Sequence, residues 1–288
     1  MRLALFDEWR LGVVIGDRIV DVTAAVPGYD PDPLTAGWWR RLCRDLPLLR
    51  PALAVTAAAG DPVPLGAVRL RPPVLGPSKV IACASNYPAH VEEMHEVQRR
   101  TLGQAVDWMM EFDVFLKAPS AISGPADPVV LPPEVLAAGQ EIHHEAELVL
   151  VIGAGGRDIP EGEALSRVMG YTAGLDITVR GAADRSRRKS YDTFAPLGPW
   201  LTTADETGDP ADLTIDLIRN GSDHRQHSAT RDLITPVPAI VSYASRIMTL
   251  LPGDVIFTGA PPGVGPIHPG DVLETRISRV GAMTISVK

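Results

Sequence analysis

Cysteine is almost missing from this chain. Cys43 and Cys83 are its only two, too few for a disulfide framework and too far apart for a redox CxxC pair, so both read as reduced structural thiols. Long apolar runs are missing as well: no stretch approaches the roughly 20 apolar residues that span a bilayer. The opening MRLALFDEWR turns acidic too early for a secretory signal. These absences point to a cytoplasmic protein with no membrane partner. Positive charge is in deficit, with 27 Lys and Arg against 35 Asp and Glu and a formal charge of −8, which argues against nucleic acid as a partner. A local site can invert the global sign, so an anionic small molecule stays open.

What the chain does hold is proline and glycine, 27 and 26 residues, punctuating many short β-type runs. Hydrophobic residues at 45% and charged residues at 22% of 288 positions are ordinary for a globular protein with a sizeable core. RLALF, RLGVVIG and RIVDVT read as a β-meander. A helical stretch follows from about Leu34 to Ala59, where Trp38, Trp39, Leu42, Leu46 and Leu49 recur at helical spacing and are assigned to the core. Pro51 is expected to interrupt this helix or to start a second one. The proline-rich RPPVLGPSK, Arg71 to Lys79, reads as a linker. It divides a small N-terminal domain, 1–72, from a main domain, 73–288.

Beyond Lys79, β-type runs dominate: KVIACA, PVVL, ELVLVIG, LTIDLI, DVIFTG and AMTISVK. Helical patterns are few: His90 to about Met110, EGEALSRVMGY and PVPAIVSYASRIMTLL. This is not regular strand–helix alternation, so the fold class is α+β and mostly β.

The stretch EIHHEAELVLVIG, Glu141 to Gly153, crowds two histidines and three carboxylates at the mouth of an apolar strand. Period-two geometry puts Glu145 and Glu147 on one face and His144 on the other. Parallel carboxylates repel unless a proton or a cation sits between them. A hard divalent ion with oxygen ligands suits the pair, and Asp176 in GYTAGLDITVR offers a third carboxylate. On pattern alone a solvated strand face is the default reading of Glu-x-Glu. His143 and His144, adjacent on a strand, face opposite ways and cannot both chelate.

KVIACASNYPAHVEEM runs from a strand into a helix. There His90 and Glu93, three apart, face the same way, and a carboxylate on one imidazole nitrogen leaves the other free to take a proton from water. An incidental surface pair has the same spacing. Lys189 in KSYDTFAPLGPW could stabilise an enolate or oxyanion. The run DRSRRKS before it, with Arg185, Arg187 and Arg188, is either a solvated loop or a local attraction for a carboxylate.

The ordered series KVIACASNYPAH, FLKAPSAISGP, HHEAELVLVIG, GYTAGLDITVR, KSYDTFAPLGPW, NGSDHRQ, LLPGDVIFTGAPPGVG and PGDVLETRIS closely resembles the fumarylacetoacetate hydrolase family. The likeness is strongest to its acylpyruvase-like members, and it covers about Pro73 to Lys288. The resemblance implies a mixed β-roll with a small N-terminal meander domain, assembled as a homodimer. It implies that Glu145, Glu147 and Asp176 bind Mg²⁺, with Mn²⁺ or Ca²⁺ as substitutes. By the same resemblance His90 and Glu93 are the water-activating pair on a lid, Lys189 is the active-site lysine, and Tyr87, Gly259 and Ala260 lie at the substrate. Two departures stand out. Gly259-Ala260-Pro261 replaces the usual Gly-Thr-Pro and loses a hydroxyl, and HEVQRRTLGQAVDWMMEFDVF is long, bringing Trp108, Met109 and Met110 near the entrance.

The resulting expectation is metal-assisted hydrolysis of a C–C bond in a 1,3-dicarbonyl or 2,4-dioxo acid, through activated water and a metal-bound enolate. Isomerisation or decarboxylation of a related oxo acid is the alternative at the same site. A non-catalytic protein that binds a small acid is a third reading.

Overall fold

The computed structural model describes residues 1–104 and 111–288. Trp108, Met109 and Met110, expected near the entrance, lie outside the described residues; the helix expected to reach Met110 ends at Leu102, where Gly103 takes the left-handed conformation of a helix cap.

The apolar run of Ala146–Ile152 is buried at every position, because both of its faces are covered. Leu148, Leu150 and Ile152 pack with Ile215, Leu217, Leu273 and Ile285 in one core. Val149 and Val151 pack with Trp38, Trp39, Leu42 and Phe257 in another. A strand covered on two faces reads as a continuous apolar run rather than an alternating one. It is central to an 11-stranded sheet, antiparallel to Val168–Leu175 and to Val255–Phe257. Val255–Phe257 in turn runs parallel to Val80–Ala84, so the sheet is mixed. A four-stranded antiparallel sheet, Asp223–Ala229, Thr214–Arg219, Val272–Ile277 and Gly281–Ser286, supplies the layer over the first core. The β-rich α+β architecture expected from the sequence is present. Among the described residues no helix is long and apolar enough to cross a membrane.

The first 72 residues are not set apart from the rest. Arg2–Phe6 pairs antiparallel with Ala195–Thr203, so the expected meander extends the main sheet. Its helix, Gly37–Ala59, packs onto the same sheet through Trp38, Trp39, Leu42, Cys43, Leu46 and Leu53. That helix runs unbroken through Pro47 and Pro51, where an interruption was expected. Both prolines are exposed and lie four residues apart, hence on the solvent side. An interior proline costs about 3 kcal/mol. Fully burying even one large apolar side chain returns about 1.5–3 kcal/mol, so the buried stripe holds the helix together across both sites.

Two other expectations change for local reasons. PVVL forms only an isolated bridge, Val129 to Val287, since the prolines on either side withhold ladder donors. EGEALSRVMGY is helical only over Glu161–Ala164, with a 3₁₀ turn at Leu165–Arg167. From Val168 the chain pairs with Ala146–Ile152, and tertiary pairing overrides the helical pattern.

Candidate metal centre

Glu145 sits where one strand passes from a small sheet into the main one. Ile142–His144 pairs with Thr178–Val179 and Gly265–Pro266, and Ala146–Ile152 then joins the main sheet. The chain opposite is laced to it, with the Asp176 amide donating to the Glu145 carbonyl (2.8 Å) and the Arg180 amide to that of Glu141 (2.8 Å). Backbone pairing thus brings Asp176 against Glu145. Glu147 continues the same face, opposite Gly174. The result is three buried carboxylates, each offering an oxygen within 4.8 Å of the others.

Such a cluster is tolerated only with counter-charge. Lys189 Nζ donates to Glu145 (2.7 Å) and to Asp176 (2.5 Å). Lys117 Nζ donates to Asp176 and to the Phe194 carbonyl. Arg180 donates to Glu145 at 2.6 Å. Burial raises the Glu145 carboxyl, but Lys189 and Arg180 outweigh it and hold the group well below the usual carboxylate range. Glu147, with the Gly259 amide as its donor at 2.6 Å, is pushed well up by burial and by Asp176 beside it. Three hard oxygen donors converging in this way fit a divalent ion.

The histidines of this strand mouth are not part of the carboxylate cluster. His143 bonds Glu141 through Nε2 at 2.8 Å, and His144 bonds Gln226 through Nδ1 at 3.3 Å. Both are buried, and neither is a surface group. Burial, helped by the Arg180 cation, lowers the His143 pKa to about 2, and burial lowers that of His144 to about 4. Gln226 also accepts from the Ala146 amide (2.9 Å) and donates to the Pro261 carbonyl (2.8 Å), which fixes the strand mouth against the Gly259–Gly263 loop.

The helix Pro88–Leu102 forms one wall of a cleft with about 690 Å³ of empty space, open mouth included. His90 Nδ1 lies 3.1 Å from Glu93 Oε2, so the expected pair is formed. Both Glu93 oxygens accept from the Gly263 amide, at 3.1 and 3.2 Å. Gly263 has φ +96°, and a Cβ there would fall 1.8 Å from the Arg225 carbonyl, so no other residue fits without moving the loop. His90, Glu145, Lys189 and Ala260 all line this cleft.

Tyr87 and Gly259, expected at the substrate, lie behind its wall. Asn86 ties to Thr235 and Thr258 and turns Tyr87 inward to 1% exposure. The Tyr87 hydroxyl has no hydrogen-bond partner among the described residues, and Glu147 is close enough to help burial raise its pKa. The Gly259 amide is spent on Glu147.

Lys117 and Arg180 escaped the sequence reading. Arg180 carried a usable signal, since Asp176, Thr178 and Arg180 share strand parity. Lys117 had a weaker one, a charge closing the short strand Asp113–Lys117.

Comparison with known proteins gives the family. The family model described as fumarylacetoacetate (FAA) hydrolase C-terminal matches residues 79–288. A maleylpyruvate hydrolase of Aquipseudomonas alcaligenes is 39% identical over 300 residues, covering 100% of this chain and 99% of the relative. The crystal structure of a maleylpyruvate hydrolase from Sphingobium sp., in complex with manganese (II) ion and pyruvate, is 44% identical with a TM-score of 0.87, covering 100% of this chain and 98% of that one. An oxaloacetate tautomerase of Xenopus laevis is 36% identical over 230 residues, 75% of this chain and 67% of the relative. The chain belongs to the fumarylacetoacetate hydrolase family.

Proposed function

We propose that this chain, a metal-dependent hydrolase of the fumarylacetoacetate hydrolase family, cleaves the C–C bond of an acylpyruvate, with maleylpyruvate-like acids as the leading substrates. The observation that carries the reading is a cleft lined by His90, Glu145 and Lys189, in which Glu145 belongs to a cluster of three buried carboxylates within 4.8 Å of one another and His90 is paired with Glu93. Glu145, Glu147 and Asp176 would hold Mg²⁺, with Mn²⁺ or Ca²⁺ as substitutes, and the manganese in the Sphingobium relative supports a divalent ion. Bound there, the cation supplies Lewis-acid polarisation of the substrate oxygens.

The rest falls to the side chains. Glu93, fixed by the Gly263 amide, orients His90 through Nδ1, which leaves Nε2 to take a proton from water. The resulting hydroxide attacks the carbonyl remote from the pyruvoyl end. C–C cleavage leaves an enolate, and the Lys189 ammonium meets its developing charge. Ala260 offers a backbone N–H at the cleft where the usual threonine would offer a hydroxyl. Tyr87 and Gly259 act from behind, on Glu147. We place the catalytic unit at 73–288, the assembly as a homodimer and the site of action in the cytoplasm.

The test is turnover of acylpyruvates, fumarylpyruvate-like acids and oxaloacetate with Mg²⁺, with products read by mass spectrometry. Pyruvate plus a free acid is the expected product pair, lost on adding EDTA and restored by Mg²⁺. Turnover indifferent to EDTA would refute the metal-dependent reading. The relationship to an oxaloacetate tautomerase favours isomerisation as the second reading, for which oxaloacetate would equilibrate between keto and enol forms without cleavage.

A further inference from the structure

The cleft holds more positive charge than its metal centre uses. Lys117, Lys189 and Arg180 already answer the three carboxylates. Two further guanidinium groups, Arg185 and Arg188, line the same space. They come from the short helix Arg185–Arg188, whose Arg187 is exposed to solvent. Arg188 is only 9% exposed. Its Nε donates to the Ala183 carbonyl at 2.8 Å and its Nη1 to the Val179 carbonyl at 3.0 Å. Those neutral partners fix the plane of the fork without cancelling its charge, and no carboxylate pairs with Arg188 among the described residues. Burial and the neighbouring Arg180 and Arg185, outweighing Glu145 and Asp176, lower its pKa to about 10, so it stays charged at neutral pH.

Asp113 and Asp184 offset part of the Arg185 charge. A divalent ion held by the three carboxylates would add positive charge to the same cleft. A nearly buried guanidinium without a counter-ion is costly and is kept where an anion comes to it. The lid side of the cleft is different in kind, lined by Met94, Val97 and Leu102, with Phe115 nearby. An apolar chain ending in an anion suits this combination.

We propose that Arg188, with Arg185 beside it, is a subsite for a second carboxylate on the substrate, so that the enzyme selects dicarboxylic 2-oxo acids over monocarboxylic ones. The assignment rests on the acylpyruvate reading for the pyruvoyl end. A planar fork held by two backbone carbonyls is suited to a carboxylate, and such charge-assisted contacts give about 10–100-fold discrimination.

The test uses 2-oxoadipate and 2-oxohexanoate, equal in chain length and different only in the terminal carboxylate, titrated calorimetrically into the Mn²⁺-loaded protein. Wild type is expected to bind 2-oxoadipate ~10–100-fold tighter, and Arg188→Met to lose that preference while holding 2-oxohexanoate within about twofold. Arg185→Met, at a half-buried position less tied to the fold, is expected to lose part of it. Equal affinities in wild type, a preference surviving both substitutions, or an equal loss for both ligands would overturn the subsite. If no acylpyruvate is cleaved while the diacid preference and its loss are seen, the hydrolase reading fails and the subsite stands. If cleavage occurs without a diacid preference, the subsite alone fails.

Discussion

The two walls of the cleft are built on opposite principles. The floor, which is the metal centre, is framed by strands: Glu147 and Lys117 lie in strands, Glu145 and Asp176 at their junctions, and Lys189 just after the short helix Arg185–Arg188. All five are buried, and each is held by a charged partner or a backbone amide. The lid is helix-borne: in Pro88–Leu102 only His90 is buried. Glu93 meets the Gly263 amide, and Arg100 bridges to Glu141 at 2.8 Å across a largely exposed pair, which contributes at most ~1 kcal/mol. Ligands that must hold fixed geometry sit on the rigid element. In our proposal the base, which must admit water and substrate, sits on the helix with the less buried surface.

Breaking the floor should have the largest effect. Glu147→Ala removes a ligand oxygen and leaves the Gly259 amide without its acceptor. Metal-dependent turnover is expected to fall by at least ~10³-fold, since Lewis-acid polarisation supplies several kcal/mol of charge stabilisation. Circular dichroism should report an unchanged fold, and wild-type activity in this variant would remove Glu147 from the site.

Breaking the lid's chemistry comes next. His90→Ala should lower hydrolysis ~10²–10⁴-fold, the usual worth of a positioned base, while leaving any oxaloacetate decarboxylation far less affected. Equal loss of both reactions would mean that His90 does not activate water.

Disturbing the lid's anchor is the smallest change. Gly263→Ala would bring a Cβ to 1.8 Å from the Arg225 carbonyl and push the amide off Glu93. A roughly tenfold fall in kcat is expected from misorienting His90, with Mn²⁺ affinity held. A loss of Mn²⁺ binding instead would show that the loop supports the floor more than the lid.

The same contrast explains what could be read from the sequence. Period-two parity placed Glu145 and Glu147 together and sent His144 the other way, and i,i+3 spacing placed Glu93 on His90; both are local rules. Asp176 was offered by its strand-like context alone, and only the ordered motif series tied it to the pair. The cations were hidden because a lysine or arginine ordinarily snorkels to solvent, and nothing near Lys117 in sequence announces Asp176, 59 residues away. The link between the N-terminal strands and the main sheet was hidden for the same reason, since Arg2 pairs with Thr202. Pro51 misled in a simpler way: a local penalty was outweighed by a buried face.

Mn²⁺ titration of the metal-stripped protein, followed by calorimetry, addresses the metal centre without needing a substrate. A single site per chain is expected in wild type, weakened by at least ~100-fold in Asp176→Asn, where one hard anionic ligand is lost. Wild-type affinity in Asp176→Asn, or no binding to the wild-type protein, would contradict the assignment of Glu145, Glu147 and Asp176 as the metal ligands.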